Sequence, residues 1–342
     1  MTDGPDSEQK GVREGRWEGH RGSRLSPLFI VGTGRCGTTL LQAMLAAHPD
    51  IGSAPETLFF NRFDPARHAE DPLPDASVEP YIDRVTRDEH FHQLGLDRGH
   101  FASAIRGGTR STQDIFHWFI SELVRDDDTA SLFAEKTPGH QRYIGRINAA
   151  LPHARFIHIH RDPRDTVASL KRAPFMTRGT TADYARYYRR VVERQARWRD
   201  RLGPERHFTL RYESLVRKPK PTLAELCSFL GIQPHPAMLA HHRHTDEQDP
   251  KLYLDFERSW KDLATRPIST ARIGRYRELL SEREIAAVER SIGAPLLERL
   301  GYERDDRIER RRVWTAADTL TEGKLRLTRA ARRAAGLNPR PD

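Results

Sequence analysis

The chain has 342 residues, 31% of them charged and 37% hydrophobic, and carries a net charge of +9, enough for one large domain or two small ones around an ample core. Its two cysteines, Cys36 and Cys227, exclude a disulfide framework and fit a reducing compartment. The positive balance favours anionic partners without choosing among nucleotides, nucleic acid and acidic membranes. No apolar run approaches a membrane span and residues 1–24 lack a signal-peptide core, so the expected setting is cytoplasmic.

In chain order, residues 1–24 are polar, glycine-rich and charged, the composition of a disordered arm. Leu28–Val31 reads as a buried strand, followed by a glycine-rich turn and a helix over Thr38–Ala47 that stops before His48-Pro49. Residues 61–100 are acidic, His-containing and proline-interrupted, and read as an irregular or helical insertion suited to covering a substrate site. Ile115–Val124 has helical apolar spacing. Arg155–His160 predicts a second strand, and Arg161-Asp-Pro-Arg-Asp leads from it into a helix starting at Asp165. Ala182–Arg201 predicts an amphipathic helix, His207–Tyr212 a third strand, and Thr222–Leu230 a helix closed by Gly231. Ser281–Leu300 predicts a helix pair ending at Gly301-Tyr302. Strands alternating with helices predict an α/β fold, a P-loop-type central parallel sheet flanked by helices. The expected units are an arm over 1–24, one domain over 25–304 and a basic tail over 305–342. Within the tail Thr319–Ala335 is Leu- and Arg-containing, and it reads as a solvated tail in preference to a membrane-surface helix.

The most informative stretch runs from Phe29 to Leu41. Its turn keeps the two outer glycines of a P-loop, Gly32 and Gly37, but Thr38 stands where the phosphate-reaching Lys belongs. Backbone N–H groups and hydroxyls at a helix N-terminus still cradle a phosphate. A positive group stands inside the loop instead, Arg35, which suits a single 5′-phosphate bearing one more charged group. A second strand–loop–helix unit, from Arg161 to Arg172, repeats the anion-binding logic, with Ser169 eight residues after Arg161.

A Gly-x-x-Arg-x-Gly-Thr-Thr loop after a strand resembles the 5′-phosphosulfate loop of sulfotransferases that use 3′-phosphoadenosine 5′-phosphosulfate (PAPS). The Arg161–Ser169 spacing is similar to the way that family holds the 3′-phosphate, with Arg172 as a further basic ligand. The resemblance is to the bacterial branch that is similar to tyrosylprotein sulfotransferases, and it covers about Pro27 to Tyr302. It implies Gly34, Arg35, Cys36, Gly37, Thr38 and Thr39 on the 5′-phosphosulfate. It implies Tyr212 along the nucleotide, and Pro267, Ile268, Ser269 and Arg275 in a loop that folds over PAPS, Arg275 near the 3′-phosphate. Glu56, after Ala47-His-Pro-Asp, falls where that branch has its general base, and Lys136, in Glu-Lys-Thr-Pro, falls near the sulfonyl group. The family often has Ser at the place of Cys36. In the aryl and steroid branch the base is a His, which makes His92, His117 and His140 the competitors of Glu56.

The implied reaction moves a sulfonyl group in line from PAPS to an acceptor hydroxyl of a tyrosine, sugar, lipid-linked glycan or small alcohol or phenol, without a metal. Glu56 takes the proton, and Arg35 and Lys136 neutralise the leaving oxygen. The expected partner is that acceptor, with no nucleic acid; membrane contact is confined to the basic tail. Two rivals stand beside this reading: a P-loop kinase using ATP, which the missing Lys and the second anion loop disfavour, and a non-catalytic nucleotide- or lipid-binding protein. His158 and His160 share a strand face, and His241, His242 and His244 cluster near Asp246. Neither group has the ligand set of a metal site, and both read as core or surface histidines.

Overall fold

The computed structural model describes residues 25–67, 70–124, 129–173, 179–243, 252, 254 and 266–309. The arm over 1–24, the stretch Thr319–Ala335, and His244 with Asp246 lie outside the described residues.

The sheet starts from β1 (Ser26–Val31), whose last five residues are all buried. A strand with no solvent face must be covered on both sides, as in parallel α/β sheets. Side chains alternate, so Phe29 and Val31 enter one apolar cluster while Leu28 and Ile30 enter the other. The other strands are β2 (Ile51–Ser53), β3 (Leu132–Glu135), β4 (Arg155–His160) and β5 (His207–Arg211). The described sheet has the order β2-β3-β1-β4-β5, and every pair in it is parallel. Phe29 lies opposite Glu135 on β3, and Val31 lies opposite His158 on β4.

Helix α1 (Thr38–Ala46) follows β1, with Gly37 as its N-cap residue at φ 101°. The insertion over 61–100 is helical, comprising α3 (Asp75–Thr86), α4 (Glu89–Gln93) and the start of α5 (Arg98–Arg106), after a short α2 (Phe59–Arg62). It is held by aromatic packing: Phe63, Phe91 and Phe101 each meet Phe119 of α6 (Thr112–Leu123), at centroid distances of 5.1, 6.0 and 6.0 Å.

Helix α7 (Ile144–Ala150) leads into β4. Helix α8 (Pro163–Lys171) starts two residues before the expected Asp165, because Asp162 caps it by accepting the Arg164 N–H and Pro163 takes the first position. Helix α9 (Thr181–Leu202) opens on a capping box between Thr180 and Asp183. Tyr212 is not the last residue of a strand, as the sequence suggests: it opens α10 (Tyr212–Arg217). Helix α11 (Pro219–Leu230) ends at Gly231 in the left-handed region. The expected terminal helix pair is present as Glu282–Ile292 and Ala294–Arg299.

Candidate active site

The leading candidate residues of these motifs sit just beyond the carboxyl ends of strands, while Ser169 and Arg172 lie in and just after the last turn of α8. β1 runs into Gly32–Gly37, β2 into Glu56, β3 into Lys136, β4 into Arg161 and β5 into Tyr212. In open parallel sheets this edge is where ligands bind, because loops and helix N-termini converge there.

The loop after β1 is built by glycines and by an unusual Arg. Gly34, Arg35 and Gly37 all have positive φ, at 70°, 58° and 101°. Such a run turns backbone N–H groups inward into an anion-binding concavity. Gly37 is required twice over, since a Cβ there would stand 2.5 Å from Cδ2 of Tyr212. Cys36 turns away: its fully buried thiol donates to the Ile159 carbonyl at 3.2 Å, and burial pushes it above the ordinary thiol range. With its thiol packed against β4, Cys36 has its backbone left for the turn, the contact that survives a change from Ser to Cys.

Arg35, Gly37, Thr38, Thr39, Arg161, Ser169, Tyr212, Pro267, Ile268 and Ser269 line one cavity of about 410 Å³. An adjoining cavity of about 300 Å³ is lined by Arg35, Arg161, Ser169, Arg172 and Arg275. Both sizes suit a nucleotide-like ligand. Arg35 Nε donates to Ser169 Oγ at 3.2 Å, joining the loop after β1 to the last turn of α8 across the cavity. The Arg161 guanidinium lies 4.9 Å from the Tyr212 ring centre and 3.3 Å from Asp165, and its Nε is buried with no hydrogen-bond partner among the described residues. Burial, then the nearby Arg272 and Arg161 charges, hold the Arg35 guanidinium below its ordinary range. Cations crowded this way favour an anion between them.

Arg272 was not legible in the sequence. It lines both cavities, and its carbonyl accepts from Arg161. The segment 266–275 is drawn down by Asp165, whose two carboxylate oxygens accept the N–H groups of Gly274 and Tyr276, each at 2.8 Å. Glu213 does the same for the loop after β4: it accepts from the Asp162 N–H at 2.9 Å and from the Tyr302 hydroxyl at 2.9 Å. The Leu-Gly-Tyr ending therefore braces the second anion loop from behind.

Glu56 and Lys136 line neither cavity, but they meet each other. Lys136 Nζ donates to Glu56 Oε1 at 2.5 Å, with the Lys side chain fully buried and that of Glu56 22% exposed. His90 of α4 is a second residue missed from the sequence: its Nε2 lies 2.7 Å from the Glu56 carbonyl, joining the helical insertion to this loop. Of the three competing histidines, His140 is fully buried and has both ring nitrogens engaged, with Glu135 and with the Phe60 N–H. His117 is half-buried, and burial holds its ring below the ordinary range, while His92 is exposed on α4. No group of three or more His, Cys, Asp or Glu residues is arranged to hold a metal among the described residues.

Two joined, cation-lined cavities at the carboxyl edge of a parallel sheet, reached by a glycine-rich loop between a strand and a helix, place the chain in the phosphate-loop α/β class. The profile of the sulfotransferase family matches residues 27–236, and the chain belongs to that family. Membership makes it a sulfotransferase, and the kinase reading is set aside. The chain is 24% identical over 284 residues to protein-tyrosine sulfotransferase 1 of Danio rerio, covering 81% of this chain and 72% of that protein. It is 25% identical over 288 residues to protein-tyrosine sulfotransferase A of Caenorhabditis elegans, covering 82% and 68%. Among solved structures it is similar to the sulfotransferase domain of the Synechococcus PCC 7002 olefin synthase. The TM-score is 0.52 and the identity 22%, over 82% of this chain and 96% of that one, which establishes the fold.

Proposed function

We propose that the protein transfers the sulfonyl group of PAPS in line to an acceptor hydroxyl. The observation that carries the reading is the convergence of Arg35, Arg161, Ser169 and Arg272 on two joined cavities, fed by loops from two different strands. Two separate phosphates on one nucleotide fit two such loops. The residues support the following division of work. Amides of 34–39 and the hydroxyls of Thr38 and Thr39 hold the 5′-phosphosulfate. Arg161, Ser169, Arg172 and Arg275 hold the 3′-phosphate. Tyr212, Pro267, Ile268 and Ser269 close on the nucleoside. PAPS supplies the activated sulfur; its bond to the bridging oxygen breaks as the acceptor oxygen–sulfur bond forms, leaving 3′,5′-ADP and a sulfate ester. Glu56 takes the acceptor proton, and Arg35 and Lys136 stabilise charge on the departing oxygen.

The relatives' names bring tyrosine to the front of the acceptor hydroxyls, with sugars, lipid-linked glycans and small alcohols or phenols behind it. Cys36 and Cys227 are both free and buried, which supports a reducing, cytoplasmic setting. No helix among the described residues is long and apolar enough to cross a membrane.

Calorimetry with 3′,5′-ADP, 5′-AMP and ATP with Mg²⁺ tests the donor. The expected result is binding of 3′,5′-ADP at least about tenfold tighter than 5′-AMP, one charged contact being worth about 1.5–3 kcal/mol. Arg275→Ala should narrow that gap. Equal affinity for the two nucleotides would defeat the 3′-phosphate assignment. Incubating radiolabelled PAPS with an extract of the producing cell, then identifying the labelled species by mass spectrometry, names the acceptor.

A further inference from the structure

Glu135 is the last residue of β3, opposite Phe29 of the central strand, with its side chain fully buried. A buried carboxylate is costly, and a core position at a strand end needs only an apolar side chain to fill it. This one is saturated with donors. Its Oε1 accepts the hydroxyls of Thr57 at 2.8 Å and Thr137 at 2.6 Å. Its Oε2 accepts the Thr137 N–H at 3.1 Å and His140 Nδ1–H at 2.8 Å. His140 passes the connection on by accepting the Phe60 N–H at Nε2, 3.2 Å away, and Thr137 Oγ1 accepts the Leu58 N–H at 3.2 Å. Burial pushes the Glu135 carboxyl up, but the His140 ring and the hydrogen bonds more than offset it and hold the group below the ordinary carboxylate range.

The residues tied together have one thing in common. Thr57 is the covalent neighbour of Glu56, and Thr137 is the covalent neighbour of Lys136. Glu56 and Lys136 are 80 residues apart in sequence, on loops from two different strands, yet their side chains meet at 2.5 Å. We propose that Glu135 is a positioning residue, which clamps the Thr57 and Thr137 backbones to one carboxylate so that Glu56 and Lys136 are held in reacting register. The proposal rests on the reading that Glu56 and Lys136 serve the transfer. It assigns Glu135 and His140 no contact with donor or acceptor.

The test uses the full-length chain, radiolabelled PAPS and the acceptor fraction that the wild-type protein labels. Glu135→Gln keeps the volume but presents an amide N–H₂ to hydroxyls that need acceptors. Its kcat should fall by about 10- to 100-fold, the scale of an ångström-size misplacement. KM for PAPS and the Kd of 3′,5′-ADP should stay within about twofold, because the cavity residues are not in this network. Thr57→Val and Thr137→Val each remove one hydroxyl donor and leave the carboxylate its other partners, and provide folded protein if Glu135→Gln unfolds. Each should lower kcat several-fold, and Thr57→Ser, which restores the hydroxyl, should recover it. Sites are counted by 3′,5′-ADP titration, so a loss of folded protein is not read as a loss of kcat. If Glu56→Gln abolishes turnover while the Glu135 and Thr variants keep kcat per site within twofold, the proposal falls and the functional reading stands. If Glu56→Gln itself leaves turnover intact, the reading and the proposal fall together.

Discussion

Replacing Glu56 by Gln should cost stability as well as activity, and the two losses should separate. Lys136 has no exposed side-chain surface, whereas Glu56 is 22% exposed, and their contact is 2.5 Å. Removing one partner of a buried pair costs about 3–5 kcal/mol, because the other charge is left without compensation. Glu56→Gln strands the fully buried ammonium, so its cost should sit within that range, near about 3 kcal/mol once the exposure of Glu56 is discounted. Lys136→Met removes the ammonium from a carboxylate that reaches water, and should cost less, about 1–2 kcal/mol. In the double variant no charge is stranded, so most of the stability should return. Turnover should not return: on the proposed reading the double variant still lacks its base, a loss of about 10²-fold or more. Urea unfolding of the four proteins, with turnover measured on the same samples, makes the comparison. A Glu56→Gln variant within about 0.5 kcal/mol of wild type would refute the pair's burial as the source of the effect. So would a double variant no more stable than Glu56→Gln.

Three further outcomes follow from the same geometry. Gly37→Ala forces a side chain into φ 101° with its Cβ 2.5 Å from Tyr212; it should cost about 2–4 kcal/mol in unfolding assays and weaken 3′,5′-ADP binding. Arg272→Ala should weaken 3′,5′-ADP binding about tenfold in calorimetry at low salt, with a smaller loss at high salt, since its charge faces both cavities. Burial, with the Arg211 charge for His160 and the Arg199 charge for His207, holds both rings down to about 4. Between pH 6.5 and 4 the unfolded chain therefore takes up protons that the native chain does not. Stability is full above pH 6.5 and is lost as pH falls towards 4, by up to roughly 3 kcal/mol per histidine. His207→Gln should flatten that slope in urea titrations across the window, and an unchanged slope would remove His207 from the account.

The parts that could be read from the sequence are those in which a buried strand runs directly into a loop and helix. β1 is a largely apolar strand followed by glycine, and β4 alternates Phe156, Ile157 and Ile159 with histidines before Arg161 and the capping Asp162, and their loops were legible for that reason. β2 and β3 were not, being three and four residues long, with β3 ending in a carboxylate that no apolar pattern admits. Arg272, His90 and Glu135 escaped for a related reason. Their significance is a contact across the fold, which local sequence does not announce even where, as with Glu135 in the Glu-Lys-Thr-Pro run, a motif surrounds the residue. The Glu56–Lys136 pair was placed by resemblance alone. The structure supplies the physical reason for it: parallel strands put every strand end on one edge, so residues from 32 to 212 become neighbours there. A carboxylate at the end of β3 can then reach the loop after β2. Motif reading finds the ends of strands, and hydrogen bonds between loops decide which of those ends act together. For this chain the hydrogen bonds that join the loops carrying Glu56 and Lys136 meet at Glu135.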